Sequence, residues 1–314
     1  MKWSGNGTRV FYVPFLVLLV LSSCIELVSD KFADYTAVPS LNCILVSGDS
    51  LSLQISKAEK IDSFDLTVLN DANVHVVQAH TGSFTLDNPG DGLYTSNRII
   101  EPGSHYQVSV LIDGYPELYA SDSVPTPCGI SILSQTNTAK LNEDGFYMTG
   151  VELEFTDDPL TEDYYELIIY KRMDDYIFPA PAFNEQNKIL LNEGFEPYTT
   201  ESLVFSDELI EEEYINMNLI YGADYNYGSS GGKRYQTIRE HMLIAELRHI
   251  SKAYYMFKKS VYFYENSRYS DFIEGTATVY PIYSNVENGL GILASYTSSL
   301  DSIFVEEEKI ILSN

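Results

Sequence analysis

The chain has 314 residues, with 45 acidic and 19 basic side chains and a formal net charge of −26 at pH 7. This charge argues against nucleic acid or an anionic lipid surface as partner, because both repel an acidic protein. A hydrophobic content of 45%, with 25 Tyr and 15 Phe, excludes global disorder, and the length is enough for two domains with their own cores.

The first 23 residues have the order of properties that is typical of a lipoprotein signal peptide. A basic start is followed by an apolar run, residues 10–21, that is too short to span a bilayer comfortably. The sequence Leu-Ser-Ser-Cys that ends at Cys24 then resembles the lipobox read by the lipoprotein signal peptidase. We therefore expect cleavage before Cys24 and a lipid anchor on it. The alternative is an uncleaved N-terminal anchor with an incidental cysteine.

Residues 37–124 show the alternation of short β-strands. Apolar side chains occupy every second position in several runs, which gives each strand one buried and one wet face. Clusters of Gly and Asp separate these runs, as in an antiparallel sandwich. We predict an immunoglobulin-like β-sandwich over residues 37–124, an anchor linker before it at residues 24–36, and a second linker at residues 125–127, where Pro-Thr-Pro breaks the pattern.

Cys43 and Cys128 are the two thiols that remain once Cys24 is acylated. They bracket the predicted sandwich, and an exported protein folds where disulfides persist. We predict that they form a disulfide that ties the first strand to the exit of the domain. The alternative is two unpaired buried cysteines.

Residues 128–314 are also rich in strand patterns and are expected to form a second β-rich domain with one helix. The helix is predicted at about residues 251–266, because Ser251 can cap an N-terminus and apolar side chains follow at helical spacing. They are Tyr254, Phe257, Val261 and Tyr264. The predicted fold is therefore mainly β, and this stripe is expected to pack on a sheet.

Tyrosines crowd around a Gly/Ser loop in the second domain. Amphipathic rings on a loop suit a recognition surface, since loops on a rigid β scaffold commonly carry binding. The candidate ligand-binding residues are Tyr221, Tyr225, Tyr227 and Tyr235. The alternative is that their rings pack on the sheet below.

No catalytic or metal-binding motif is recognisable. The H-E-x-x-H motif does not occur, and His241 and His249 stand too far apart on one strand to share a metal. The pairs Asp157-Asp158 and Asp174-Asp175 are interpreted as solvated turns, with weak calcium binding as the alternative. We therefore expect no catalytic residue, no metal site and no cofactor.

A series of short motifs resembles a known family. The most specific is Asn-Val-Glu-Asn-Gly-Leu-Gly at residues 285–291. The others, in chain order, are the lipobox and the motifs at residues 47–50, 92–94, 124–125, 204–208 and 251–255. Together they are similar to the domain of unknown function 4249 family, outer-membrane lipoproteins from Bacteroidota. Leu293 and Ala294 depart from it, since an aromatic residue and a glycine are expected there.

The resemblance implies an outer-membrane location through the anchor on Cys24, and association with TonB-dependent receptors, beside whose genes such proteins are often encoded. It implies no catalytic activity and no particular ligand. We expect a non-enzymatic accessory or binding partner of such a receptor in nutrient uptake. One alternative is a free-standing ligand-binding lipoprotein that uses the tyrosine-rich loop. Another is an enzyme with an unfamiliar site, which a cleft with convergent carboxylates or histidines would indicate.

Overall fold

A computed structural model describes residues 37–59, 67–197, 199–210, 212–274 and 280–312, with the backbone alone described for residues 268–274. The predicted signal peptide at residues 1–23, the anchor linker at residues 24–36 and the lipidation site Cys24 lie outside these ranges.

Within the described ranges the chain forms twenty strands and two helices. The strands of the first half are β1 (Val38–Val46), β2 (Ser50–Ala58), β3 (Asn73–Gln78), β4 (Gly82–Thr85), β5 (Asp87–Gly90), β6 (Leu93–Ile99), β7 (His105–Leu111) and β8 (Leu118–Ser123). Those that follow are β9 (Ile130–Leu141), β10 (Tyr147–Thr156), β11 (Tyr164–Met173), β12 (Tyr176–Pro179), β13 (Ala182–Phe183), β14 (Leu203–Ser206), β15 (Tyr214–Tyr221), β16 (Tyr225–Ser230), β17 (Lys233–Ile238), β18 (His241–Ile250), β19 (Leu290–Val305) and β20 (Glu308–Ile311). The helices are α1 (Lys188–Asn192) and α2 (Lys252–Glu274).

The first half forms a sandwich of two sheets. In one sheet the order is β1-β2-β6-β5, and in the other it is β4-β3-β7-β8. Since β1, β2 and β6 lie opposite β3, β7 and β8, the strand order is that of an immunoglobulin-type sandwich. The mainly β fold predicted from the alternating runs is confirmed.

The first sheet of the sandwich continues into the second half of the chain. Its full order is β12-β11-β18-β19-β1-β2-β6-β5, and β14 also pairs with β11. The joint is a parallel pairing of β1 with β19, from Ser40 opposite Leu290 to Val46 opposite Tyr296. The predicted linker at residues 125–127 therefore does not divide this sheet, and residues 37–124 and 128–314 share it. Both belong to one compact unit, Ala37–Asn314.

The two faces of the large sheet carry different cores. The sheet β4-β3-β7-β8 packs on one face of the large sheet, and the apolar side chains enclosed between them form the first core. The sheet β13-β15-β10-β9 packs on the same face further along, and the apolar side chains enclosed there form the second core. The opposite face holds α2 over a third core. Successive side chains of β19 point to opposite faces of the sheet, so Leu293 packs in the first core while Ile292 and Ala294 pack under the helix.

Helix α2 begins where the sequence predicts and continues further, to Glu274. The Ser251 hydroxyl accepts a hydrogen bond from the Tyr254 N–H at 3.3 Å, which is an N-cap contact, and another from the Ser295 N–H of β19 at 3.2 Å. Tyr254 is buried against the sheet, and Phe257 packs beside it. In the described part of the chain, neither helix has the length and apolar character that crossing a bilayer requires.

The predicted disulfide is wrong, because Cys43 and Cys128 are both free thiols. Cys43 lies on β1 and is buried in the first core, with its thiol 3.4 Å from the Ser52 carbonyl oxygen. Cys128 packs against the second core instead. Each thiol is thus enclosed by a different set of side chains, and burial raises the pKa of each to about 12.

Candidate functional site

The tyrosine-rich loop is the hairpin of β16 and β17, turned by Gly231 and Gly232. Tyr225 is 37% exposed and Tyr227 is 75% exposed at this hairpin. Both rings lie against the ring of Phe146, with centroids 5.0 Å and 5.7 Å away. The hairpin therefore does present a small aromatic surface to solvent.

Tyr235 lies on β17 opposite Gly228 and is partly buried. Its ring covers Gly228 so closely that a Cβ built at Gly228 would lie 2.5 Å from the Tyr235 hydroxyl oxygen. The Lys309 ammonium lies 3.7 Å from the centre of the same ring. Tyr235 thus holds β16 and β20 around β17, and its ring faces are already in contact with other groups.

Tyr221 does not belong to this surface, and its prediction as a ligand-binding residue is corrected. It is fully buried in the second core, where its hydroxyl lies 3.3 Å from Nε2 of His241. The reason is its position on β15, where Ile215, Met217 and Leu219 occupy the same buried face. That alternation was the sequence signal for burial.

A second exposed apolar surface, which the sequence analysis missed, lies at the edge of the large sheet. Strand β12 is the outermost strand and, within the described ranges, pairs with β11 alone. Its residues Tyr176, Ile177 and Phe178 are 68%, 56% and 47% exposed. Three consecutive exposed apolar residues on a free sheet edge favour pairing with another chain. We call these three residues the edge patch.

A network of buried charges fastens α2 to the large sheet. Glu166 on β11 accepts hydrogen bonds from Arg248 and Lys258 at 2.9 Å each, and from the Tyr254 hydroxyl at 2.9 Å. Burial raises the pKa of Glu166, but the charges of Lys258 and Arg248 outweigh burial and hold the pKa below its usual value. The Glu193 carboxylate accepts a hydrogen bond from the Tyr255 hydroxyl of α2 at 2.7 Å. A cavity of about 640 Å³ lies beside this network, between α2 and the sheet.

A larger cavity, of about 750 Å³, lies where the segment at residues 124–128 passes the ends of β11 and β18. Asp157 and Asp163 line it, and Asp207 lies beside them, with one carboxylate oxygen from each residue within 4.8 Å of the others. We call these three residues the aspartate cluster. Asp157 follows β10, Asp163 precedes β11 and Asp207 follows β14, so the sheets bring three separate loops together.

The aspartates have contacts with the protein, but these contacts leave one buried oxygen of Asp157 unsatisfied. Asp157 accepts a hydrogen bond from the Tyr165 hydroxyl, and Asp207 accepts one from the Asp163 N–H at 2.9 Å. Oδ2 of Asp157 is buried and has no hydrogen-bond partner. Burial raises the pKa of both Asp157 and Asp207. The cluster is thus a concentration of negative charge with an unsatisfied oxygen.

His249 supports the cluster from β18. Its Nδ1 lies 2.7 Å from the Thr126 carbonyl oxygen. Because a carbonyl oxygen can only accept, Nδ1 carries a proton and donates a hydrogen bond to this oxygen. Its Nε2 lies 2.9 Å from Oδ1 of Asp163. The ring also stacks on Tyr165, with centroids 5.2 Å apart. His249 therefore links the linker segment to the cluster. Carboxylates and a histidine do converge at this cavity, as an enzyme site would require, but both ring nitrogens of His249 are already in contact with protein atoms.

These residues were not predicted to form a site. Asp157 was expected in a solvated turn and His249 was assigned to no site, whereas their exposed fractions are only 7% and 8%. The available signals were the Asp157-Asp158 pair and the position of Asp207 inside the motif at residues 204–208. The convergence of three loops was not visible, because it depends on the pairing of distant strands.

The most specific sequence motif has a structural role at the start of β19. The Asn285 side-chain amide donates to the Leu293 carbonyl at 2.7 Å, and its oxygen accepts from the Leu293 N–H at 2.9 Å. Asn288 donates to the Glu117 carbonyl at 2.9 Å. The motif thus fixes the segment that joins the two halves of the large sheet.

The chain matches a known protein family. A family model described as "Domain of unknown function (DUF4249)" matches residues 31–301, which is most of the chain. A search of curated proteins finds no match.

Proposed function

The chain belongs to the DUF4249 family, and from this premise we propose that it is a lipid-anchored, non-enzymatic outer-membrane protein that docks on a TonB-dependent receptor and assists nutrient uptake. The observation that carries the docking proposal is the edge patch on β12. Its side chains are apolar and, among the strands that the structure describes, none pairs with its outer edge, which is the arrangement that accepts a strand or a loop of a partner.

The lipid anchor proposed at Cys24 makes such docking easier. Residues 24–37 can extend over at most roughly 50 Å, so the folded unit stays close to the membrane surface. A receptor in the same membrane is then met at a high effective concentration, and a patch of modest area is enough for association. The class of the partner rests on the family resemblance, and the place of contact rests on the edge patch.

The test is affinity purification of the native, lipidated protein from detergent-solubilised outer membranes, followed by mass spectrometry. We expect stoichiometric recovery of a TonB-dependent receptor. In the double variant Tyr176→Ser/Phe178→Ser we expect receptor recovery to fall by about tenfold or more, as for loss of central apolar contacts in an interface. Both side chains are exposed, so the variant should fold normally.

The matched control is Tyr227→Ser, which removes a ring from the tyrosine-rich hairpin that is more exposed than either ring of the edge patch. Receptor recovery should be unchanged in this control. Equal recovery with the edge variant and wild type would show that the edge patch is not the contact. Recovery of the protein without any receptor would contradict the receptor proposal as a whole.

A second candidate function is direct ligand binding by the hairpin, favoured by the exposure of Tyr225 and Tyr227 beside Phe146. Rings of this kind provide apolar contact area while keeping a polar group in water. If the protein is recovered alone, and a ligand extracted with it is lost in Tyr227→Ser but kept in the edge variant, this second function replaces the first.

A further inference from the structure

We propose that the aspartate cluster, Asp157, Asp163 and Asp207, is a binding site for one calcium ion. The three carboxylates come from three different loops, and one oxygen of each lies within 4.8 Å of the others. This inference is independent of the proposed function, since it depends on neither the lipid anchor nor a receptor.

The first support beyond the clustering is the unpartnered oxygen of Asp157. The residue is 7% exposed, and its Oδ2 has no hydrogen-bond donor. A buried polar atom without a partner costs on the order of 1–3 kcal/mol, so native structures rarely leave one. A cation bound by the cluster supplies the missing partner.

The second support is the local charge balance. Among the residues that the structure describes, His249 is the one basic side chain in ion-pair contact with the cluster, through Asp163. Asp158 and Glu162 line the same cavity and add negative charge at its rim. Lys252 also lines it, but pairs with Glu162. Three converging carboxylates therefore have at most one positive partner, and a divalent cation restores the balance.

The donor set selects the ion. The three residues offer carboxylate oxygens only, which suits hard cations and not zinc or copper. Two oxygens on one calcium ion are at most about 5 Å apart, and calcium accepts flexible oxygen geometries, whereas magnesium demands near-ideal octahedral geometry and usually keeps several waters. A spread of up to 4.8 Å is within the calcium limit. The neighbouring cavity has room for the water molecules that complete a calcium shell.

The position of the site defines what the ion would do. It would join the end of β10, the start of β11 and the end of β14, and His249 would connect the ion to the Thr126 carbonyl between the two cores. Binding to the folded state alone raises stability by mass action. The expected role is therefore structural: the ion holds the junction segment in place.

The experiment uses the full lipidated chain in detergent, freed of metal with a chelator. Calorimetric titration with calcium chloride should show one site, with a dissociation constant in the micromolar to millimolar range. Calcium should raise the melting temperature, and magnesium at the same concentration should raise it less. Terbium, which replaces calcium at oxygen sites, should give luminescence when tyrosine is excited, because Tyr165 donates to Asp157.

The variant is Asp207→Asn, and the matched control is Asp174→Asn, at an acidic pair on the β11–β12 turn outside the cluster. We expect calcium affinity to fall at least about tenfold in the first and to stay unchanged in the second. If Asp207→Asn does not fold, Asp163→Asn replaces it. If neither variant folds, the comparison of calcium with magnesium on the wild-type protein decides alone. No heat and no shift in melting temperature at about 10 mM calcium, or equal responses of variant and control, would overturn the proposal.

Discussion

At the scale of single residues, Asp122 shows how burial couples stability to pH. It lies on β8 and accepts a hydrogen bond from the Ser295 hydroxyl of β19 at 2.6 Å. Burial raises the pKa of Asp122 to about 6, against 3.8 for the ordinary group, although the contact with Ser295 opposes this shift. The folded chain therefore binds more protons than the unfolded chain between about pH 4 and pH 6.

The sign of the pH dependence follows. Because its pKa is raised in the folded state, Asp122 contributes stability below about pH 4, and this contribution is lost as the pH rises through about 6. The loss is on the order of 3 kcal/mol. Asp122→Asn should therefore gain stability relative to wild type between pH 4 and pH 7, with no further change above that range. Urea unfolding of both proteins across this range measures the difference, and a pH-independent difference would contradict the assignment.

At the scale of elements, the contact between β1 and β19 depends on Gly291. This residue has φ +108°, and a Cβ added to it would lie 2.0 Å from the Leu41 carbonyl oxygen on β1. The side chain of any other residue would therefore strain its own backbone and push the two strands apart.

Gly291→Ala should lower the free energy of unfolding by about 2–5 kcal/mol, from backbone strain and overpacking together. Gly48→Ala is the matched control, because Gly48 has φ +89° but open space around its Cβ position. It should cost about 1 kcal/mol, from strain alone. Urea midpoints measure both, and equal losses would show that the close approach to Leu41 is relieved at little cost.

Elements with a strong local pattern were predictable from the sequence. Apolar residues alternate with polar ones along β2, β7, β10 and β18, and the cap at Ser251 located the start of α2 within one residue. The pairing of β1 with β19 was not predictable, because periodicity gives the buried face of a strand and not its neighbour.

In the candidate sites, too, local features were predictable from the sequence and contacts between distant segments were not. Exposure of Tyr225 and Tyr227 was predictable from their place beside a Gly/Ser turn, whereas the aspartate cluster needs the relative position of three loops. The disulfide prediction failed for a related reason, since two cysteines that bracket a sandwich in sequence can face different cores. In both cases the sequence does not give the distance in space between residues that are far apart along the chain.

At the scale of the whole molecule, the shared sheet should make the two large cores unfold together. Leu293 of β19 packs in the first core, while Val305 at the other end of the same strand packs in the second. Loss of β19 from either core removes hydrogen bonds and apolar contacts from the other. Equilibrium unfolding should therefore be one cooperative transition.

The two free thiols allow this to be measured. Cys43 reports on the first core and Cys128 on the second, and with their pKa values raised to about 12 both should be unreactive near pH 8 until the chain unfolds. With Cys24 acylated or replaced by Ser, labelling of each thiol as a function of urea should give the same midpoint. A lower midpoint for Cys43 would show that the sandwich unfolds independently.

The parallel pairing of β1 with β19 also constrains the order of events during biosynthesis. Ser40 of β1 lies opposite Leu290 of β19, so β1 can form this pairing only after nearly the whole chain has been made. Until then β1 keeps one edge open, and an open edge of this kind is prone to wrong association. Contacts so distant in sequence also form slowly. We therefore expect a nascent chain of this protein to need protection by chaperones until its last strands are made, and products that end before residue 290 to be removed by proteases.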